Sequence, residues 1–157
     1  MKDTVTTRVI ATLDALAPLV GTEVGVSDWV EVSAGRIAAF ADATGDHQWI
    51  HVDHERAKRE SPYGTVVAHG YLTLSLIPLM RASAMEIRGI SMAVNYGVNR
   101  VRFPAPVRAG ARIRASFVLA AFEPIDKGAQ LTWTATVTEE GAPKPCCVAE
   151  IVARCYR

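Results

Sequence analysis

The chain has almost no net charge, few cysteines and no long apolar run, and each shortage removes a class of function. Seventeen basic and sixteen acidic residues leave a formal charge of +1, too small a field to draw a polyanion. Nucleic acid and anionic membrane surfaces are therefore not expected partners. No apolar stretch is long and clean enough to span a bilayer. Met1-Lys2-Asp3-Thr4 lacks the apolar core of a secretory signal. The three cysteines, Cys146, Cys147 and Cys155, are odd in number and two are adjacent. That is a poor disulfide framework, and the spacing does not suit zinc. A reducing, cytoplasmic setting is expected. There is no internal repeat, low-complexity segment or linker.

At 157 residues, half of them hydrophobic, the chain has the material for one domain with a sizeable core, residues 1–157 together. Val9, Leu13, Leu16, Ala17 and Val20 recur at helical spacing, so residues 4–17 are predicted as an amphipathic helix ending before Pro18. Val24, Val26, Val30 and Val32 favour extended structure around a turn at Ser27-Asp28. Ser33 is a natural N-cap for a helix over 34–44, with Ile37, Phe40 and Ala41 inward and Gly45 as its stop. Residues 46–52 are predicted as a loop. Asp53 is placed to cap a short helix through Glu55-Arg56-Ala57-Lys58, and Ser61-Pro62-Tyr63-Gly64 is turn chemistry.

From Gly70 to Ala84 the apolar residues run nearly all round, which predicts a helix buried on most sides, kinked at Pro78. The period then changes to two. Residues 90–103 form one strand with a bulge at Gly97. Ile113, Ala115, Phe117 and Leu119 share one face of the next. Leu131, Trp133, Ala135 and Val137 share one face of a third, and Cys147, Ala149, Ile151, Ala153 and Cys155 one face of the last. A buried helix followed by long antiparallel strands predicts an α+β domain whose sheet curls round the helix. Such a sheet has open edges, which invite pairing across a dimer.

Two stretches carry chemistry. In Thr44-Gly45-Asp46-His47-Gln48-Trp49-Ile50-His51 a carboxylate, Asp46, precedes an imidazole, His51, by five residues. If a loop turns both to one point, they can take a proton from water and return it to carbon, the pair of transfers that hydration of a double bond needs. The alternative is a helix-end Asp beside a packed loop His, and spacing alone leaves both open. In the second stretch, Ala68-His69-Gly70, a glycine opens the buried helix. Its free N–H is suited to a thioester oxygen becoming an enolate; alternatively Gly70 is small only for packing, and His69 is a bonded core residue. Arg100, Arg102, Arg108, Arg112 and Arg114 are either phosphate ligands for a nucleotide-like carrier or one solvated sheet face. Asn95, Tyr96 and Asn99 are either pocket-lining or satisfied within the sheet. Cys146 and Cys147 have no basic partner and read as inert small hydrophobes.

Residues 40–53, Phe-Ala-Asp-Ala-Thr-Gly-Asp-His-Gln-Trp-Ile-His-Val-Asp, resemble the signature of the MaoC-like (R)-specific enoyl-CoA hydratases. Val67-Ala68-His69-Gly70 resembles that family's second element, and residues 101–107 resemble the strand and turn that follow. The likeness spans roughly residues 20–155, and the three blocks together are specific. It implies a hotdog fold, a homodimer and a tunnel for an acyl chain on CoA or a carrier protein, with no metal and no redox cofactor. Carried over by position, Asp46 and His51 become the catalytic dyad and Gly70 the oxyanion donor, with Gln48, Trp49 and His69 toward the substrate. One departure stands out: the family motif has Asn-Pro where this chain has Gln48-Trp49, as in the branch resembling rhizobial nodulation protein N. The implied activity is reversible (R)-specific hydration of trans-2-enoyl-CoA. A hotdog thioesterase and a non-catalytic acyl-thioester-binding protein are the alternatives.

Overall fold

The computed structural model describes residues 5–157. Its frame is a six-stranded antiparallel sheet wrapped round one interrupted helix. The strands are β2 (Glu23–Val26), β3 (Val30–Val32), β5 (Met92–Arg102), β6 (Ala111–Ile125), β7 (Gly128–Glu139) and β8 (Pro145–Tyr156). The order is β2-β6-β7-β8-β5, with β3 also pairing to β6. The period-two pattern sets the inner face. Ile113, Ala115, Phe117 and Leu119 on β6 are fully buried, as are Leu131, Trp133, Ala135 and Val137 on β7. Phe117 meets Trp133 edge-on at 6.5 Å between centroids. The pairing of β5 with β8 slips between Asn95 and Gly97, the bulge that Gly97 predicts.

The helix comes as α4 (Gly70–Ser75) and α5 (Ile77–Ala84), divided at Leu76. Pro78 lies in the first turn of α5; its missing N–H and its ring account for the break. Leu72, Ile77, Met80 and Ala84 pack onto the sheet. The expectation of burial on most sides is corrected: Tyr71 is 70% exposed and Leu79 51%. β5 is an edge strand in which every residue but Val101 is exposed.

Before the sheet, α1 (Ala34–Thr44) is capped as predicted. The Ser33 hydroxyl accepts from Arg36 N–H, and Gly45 ends the helix at φ 77°. Asp53 accepts from Arg56 N–H at 2.9 Å and starts α3 (His54–Glu60). Two expectations fail. The helix over 4–17 is instead β1 (Arg8–Ile10) and a 3-10 turn, Leu13–Leu19, that contains Pro18; Thr4 lies outside the described residues. The Thr-Val-Thr-Thr run preceding Arg8 favours extended chain, and β1 finds a parallel partner in β4 (Met85–Ile87). Leu13 and Leu16, three apart, suit the three-residue period of a 3-10 helix as well as an α-helix. The second failure is the 46–52 loop, which closes in a short helix, α2 (Trp49–Val52).

Candidate active site

The segment between α1 and α2 brings Asp46 and His51 together. The left-handed Gly45 turns the chain back. Asp46 then folds on itself, its carboxylate accepting from Gln48 N–H at 3.4 Å. One helical turn further on, His51 points inward and is only 9% exposed. Its Nδ1–H donates to the Val67 carbonyl at 2.6 Å, so Nε2 carries the free lone pair. The backbone reciprocates: Val67 N–H donates to the Ile50 carbonyl at 3.0 Å, and Ala68 N–H to that of Val107 at 2.8 Å. The segment before α4 is thus stitched both to α2 and to the loop after β5.

His69, 3% exposed, completes the cluster. Its Nε2–H donates to the Asp46 backbone carbonyl at 2.9 Å, and the same nitrogen is 3.9 Å from Asp46 Oδ2. The rings of His51 and His69 stack at 3.7 Å, 24° from parallel. Asp46, His51 and His69 place one ligand-capable atom each within 4.8 Å of one another. His51 Nδ1 and His69 Nε2 are already committed to backbone carbonyls, so the His69 nitrogen nearest the Asp46 carboxylate presents a hydrogen rather than a lone pair to that space. The arrangement suits a proton-transfer centre better.

Burial is the main cause holding His51 below the ordinary imidazole value of 6.5. The Val67 carbonyl opposes it, neighbouring His69 adds to it, and Asp46 opposes it again. The ring is therefore neutral at pH 7, with Nε2 ready to accept a proton. Protonation removes that acceptor, so kcat/KM is expected to be level above about pH 7 and to fall as pH drops through a value below 6.5. A pH profile checks this; an acid limb centred above 6.5 overturns a burial-lowered His51 as the group that sets it. His47 turns away and bonds exposed Asp42 at 2.9 Å, which raises its pKa.

A cavity of about 240 Å³ opens beside His51, with Gly70 and Thr73 in its wall. Tyr63 and Phe103, both partly exposed, line it along with deeply buried Cys146. Tyr63, Thr73, Phe103 and the orienting Val67 carbonyl are contributions that motif reading did not single out. Tyr63 sat in turn-like sequence and Phe103 at the end of a predicted strand, and no spacing rule points to a carbonyl. Cys146 donates weakly to the Val137 carbonyl, and burial pushes its thiol up to about 12, in keeping with an inert side chain.

Other candidates lie elsewhere. Exposed Gln48 and half-buried Trp49 are not in the cavity wall; Arg56 stacks over the Trp49 ring at 4.3 Å instead. Neither Asp46 nor Trp49 is in the wall of this cavity; one turn of α2 sends Ile50 and His51 to it and Trp49 toward Arg56 of α3. Arg112 and Arg114 stack on Trp29 at 5.5 and 4.4 Å, the solvated-face reading. Asn99 bonds Glu150 at 2.6 Å. Asn95 lines a larger cavity of about 420 Å³ between the helix and β5–β8. That cavity touches neither His51 nor Gly70, whereas the smaller one touches both.

A helix wrapped by a curled antiparallel sheet, with an Asp-His cluster at the helix start, defines a hotdog-fold protein of the hydratase and dehydratase class. The MaoC-like domain matches residues 15–141, and the chain belongs to that family, whose members are hydro-lyases. It is 47% identical over 148 residues to 3-hydroxyacyl-thioester dehydratase Z of Mycobacterium tuberculosis, covering 94% of this chain and 97% of that one. It is 50% identical over 108 residues to nodulation protein N of Rhizobium meliloti, covering 68% and 67%. Among solved structures, the (R)-hydratase of A. caviae shares the fold at a TM-score of 0.66 and 23% identity, covering 85% of this chain and 96% of that one.

Proposed function

We propose that the protein adds water reversibly across the double bond of a trans-2-enoyl thioester, giving the (R)-3-hydroxyacyl thioester. The observation that carries this is the gap between the two side chains. A ring nitrogen of His51 and a carboxylate oxygen of Asp46 lie within 4.8 Å. A water making two bonds of about 2.8 Å spans up to roughly 4.5 Å, so a separation of this order lets the two side chains share one water. As its oxygen bonds to C3, the pair takes one of its protons and delivers a proton to C2 on the same face. Electron density moves to the thioester oxygen, which the Gly70 N–H holds as an enolate; as the first residue of α4 it has no carbonyl one turn earlier to bond. Base and acid are roles shared between Asp46 and His51. The M. tuberculosis relative, named for 3-hydroxyacyl thioesters, supports this substrate class on CoA or a phosphopantetheine-bearing carrier.

The active unit is a homodimer. Edge strand β5 pairs on one side only, with β8, and Met92, Val94, Tyr96 and Val98 expose apolar side chains along it. A second copy joined along β5 covers both.

The test follows enoyl-thioester absorbance with crotonyl-CoA and resolves the product on a chiral column. Loss of absorbance with formation of (R)-3-hydroxybutyryl-CoA is expected. Release of free thiol without hydration makes the protein a thioesterase, and no reaction with crotonyl-CoA, a medium-chain enoyl-CoA or a carrier-bound enoyl thioester makes it a binding protein.

Gly70 gives a further expectation. A Cβ there comes to 2.7 Å from the Phe103 ring, which is 40% exposed and free to swing. Gly70→Ala therefore displaces Phe103 at the cavity wall without a large cost in stability. A fall in kcat/KM of about 10-fold or more is expected, partly restored by Phe103→Ala in the same chain. Additive losses in that double-mutant cycle remove Phe103 from the explanation.

A further inference from the structure

We infer that His69 is a positioning residue: its Nε2–H holds the Asp46 backbone carbonyl and thereby sets the Asp46 carboxylate opposite His51. This rests on the hydration reading above and assigns His69 a role other than touching substrate.

Four observations carry it. Asp46 sits in a segment with little else to fix it. Its side chain is about half exposed, and its own bonds, to Thr44 Oγ1 and from Gln48 N–H, are both 3.4 Å. The bond from His69 is 2.9 Å and reaches across 23 residues of sequence. His69 itself is immobile: it is 3% exposed, stacked on His51 and flanked by the Phe40 ring at 5.0 Å. It also immediately precedes Gly70, so one residue joins the proton-transfer pair to the oxyanion N–H. Finally, His69 Nδ1 is buried with no partner among the described residues. It is absent from the cavity wall, so the ring's one polar link is to the Asp46 carbonyl. A histidine kept for packing alone has no need of that nitrogen.

The chemistry separates the ring from the donor. His69→Phe keeps an aromatic ring against His51 and loses the N–H. His69→Gln loses the ring and keeps an amide N–H at similar reach. A misplacement of about 1 Å in a catalytic group costs up to ~10²-fold. His69→Phe is therefore expected to lower kcat by 10- to 100-fold with KM changed less than about 3-fold, and His69→Gln to recover kcat to within about 5-fold of the parent. Melting curves and size-exclusion profiles of each variant accompany the kinetics. A His69→Phe enzyme with parental kcat, or a His69→Gln enzyme as impaired as His69→Phe, overturns the inference. Should neither variant fold, imidazole ¹⁵N spectra of the parent protein decide. His69 protonated at Nε2 and His51 at Nδ1 are expected, and His69 protonated at Nδ1 instead overturns the assignment. Failure of the hydration reading is distinct, because it shows as a parent protein without turnover.

Discussion

Asp46→Asn and His51→Gln are each expected to lower kcat for enoyl-thioester hydration by at least ~10²-fold, the scale of losing a general acid or base. The fold should survive both. Asp46 is exposed and its carboxylate accepts one long bond, so the amide leaves little buried charge or unmet polarity behind. His51 is buried, and Gln carries both an N–H for the Val67 carbonyl and a second polar atom. What disappears is the titratable pair. Because the two act as one unit, the double variant should be scarcely worse than either single one. Rates are measured at saturating enoyl thioester with dimer content checked. Near-parental kcat in both variants removes the pair from the mechanism, and losses that multiply in the double variant show two independent roles.

The second large effect concerns the fold. Gly128→Ala is expected to destabilise the protein by about 3 kcal/mol or more, at the upper end of overpacking costs. A Cβ at Gly128 lies 2.0 Å from the Cys155 carbonyl oxygen, 3.0 Å from its carbon and 3.1 Å from the Tyr156 Cα. Those are backbone atoms of β8, paired with β7 at this point, so no side-chain rotation relieves the contact. The strands must separate, and the ladder that buries Ala129 and Leu131 loosens with them. For a chain of this size the melting temperature should fall by about 10 °C. Parent and variant are melted at equal concentration, since dimerisation adds to apparent stability. A shift of only a degree or two means the hairpin end gives way freely. Gly70→Ala is the useful contrast: there the obstacle is a mobile ring, and the consequence expected is in catalysis.

The sheet was legible because its signal is local. A side chain alternates faces every residue, so the inward sets on β6 and β7 read directly from residue order, and all eight are fully buried. Caps were legible for the same reason: Ser33, Gly45 and Asp53 act on backbone groups within four residues of themselves. The amino-terminal segment was misread because Leu13 and Leu16 satisfy a 3-10 turn and an α-helix alike. The choice lay with β4, some seventy-five residues away, which pairs with β1. The direction of Trp49 was not legible for a related reason. In a loop its direction is open, whereas one turn of helix sends it toward Arg56 while His51 turns to the cavity.

By itself the sequence determined which chemical groups are available and roughly where: a carboxylate and an imidazole five residues apart, a glycine opening an apolar helix, and strands to wrap it. Residue type and short-range periodicity are properties of the chain, and these groups follow from them. Only the tertiary structure decided that the Val67 carbonyl selects the His51 tautomer, that His69 holds Asp46 by its backbone, and that Phe103 closes on Gly70. Each of these is a contact between segments 16 to 33 residues apart. Such contacts depend on how the segments pack, and no local preference of the residues involved encodes them.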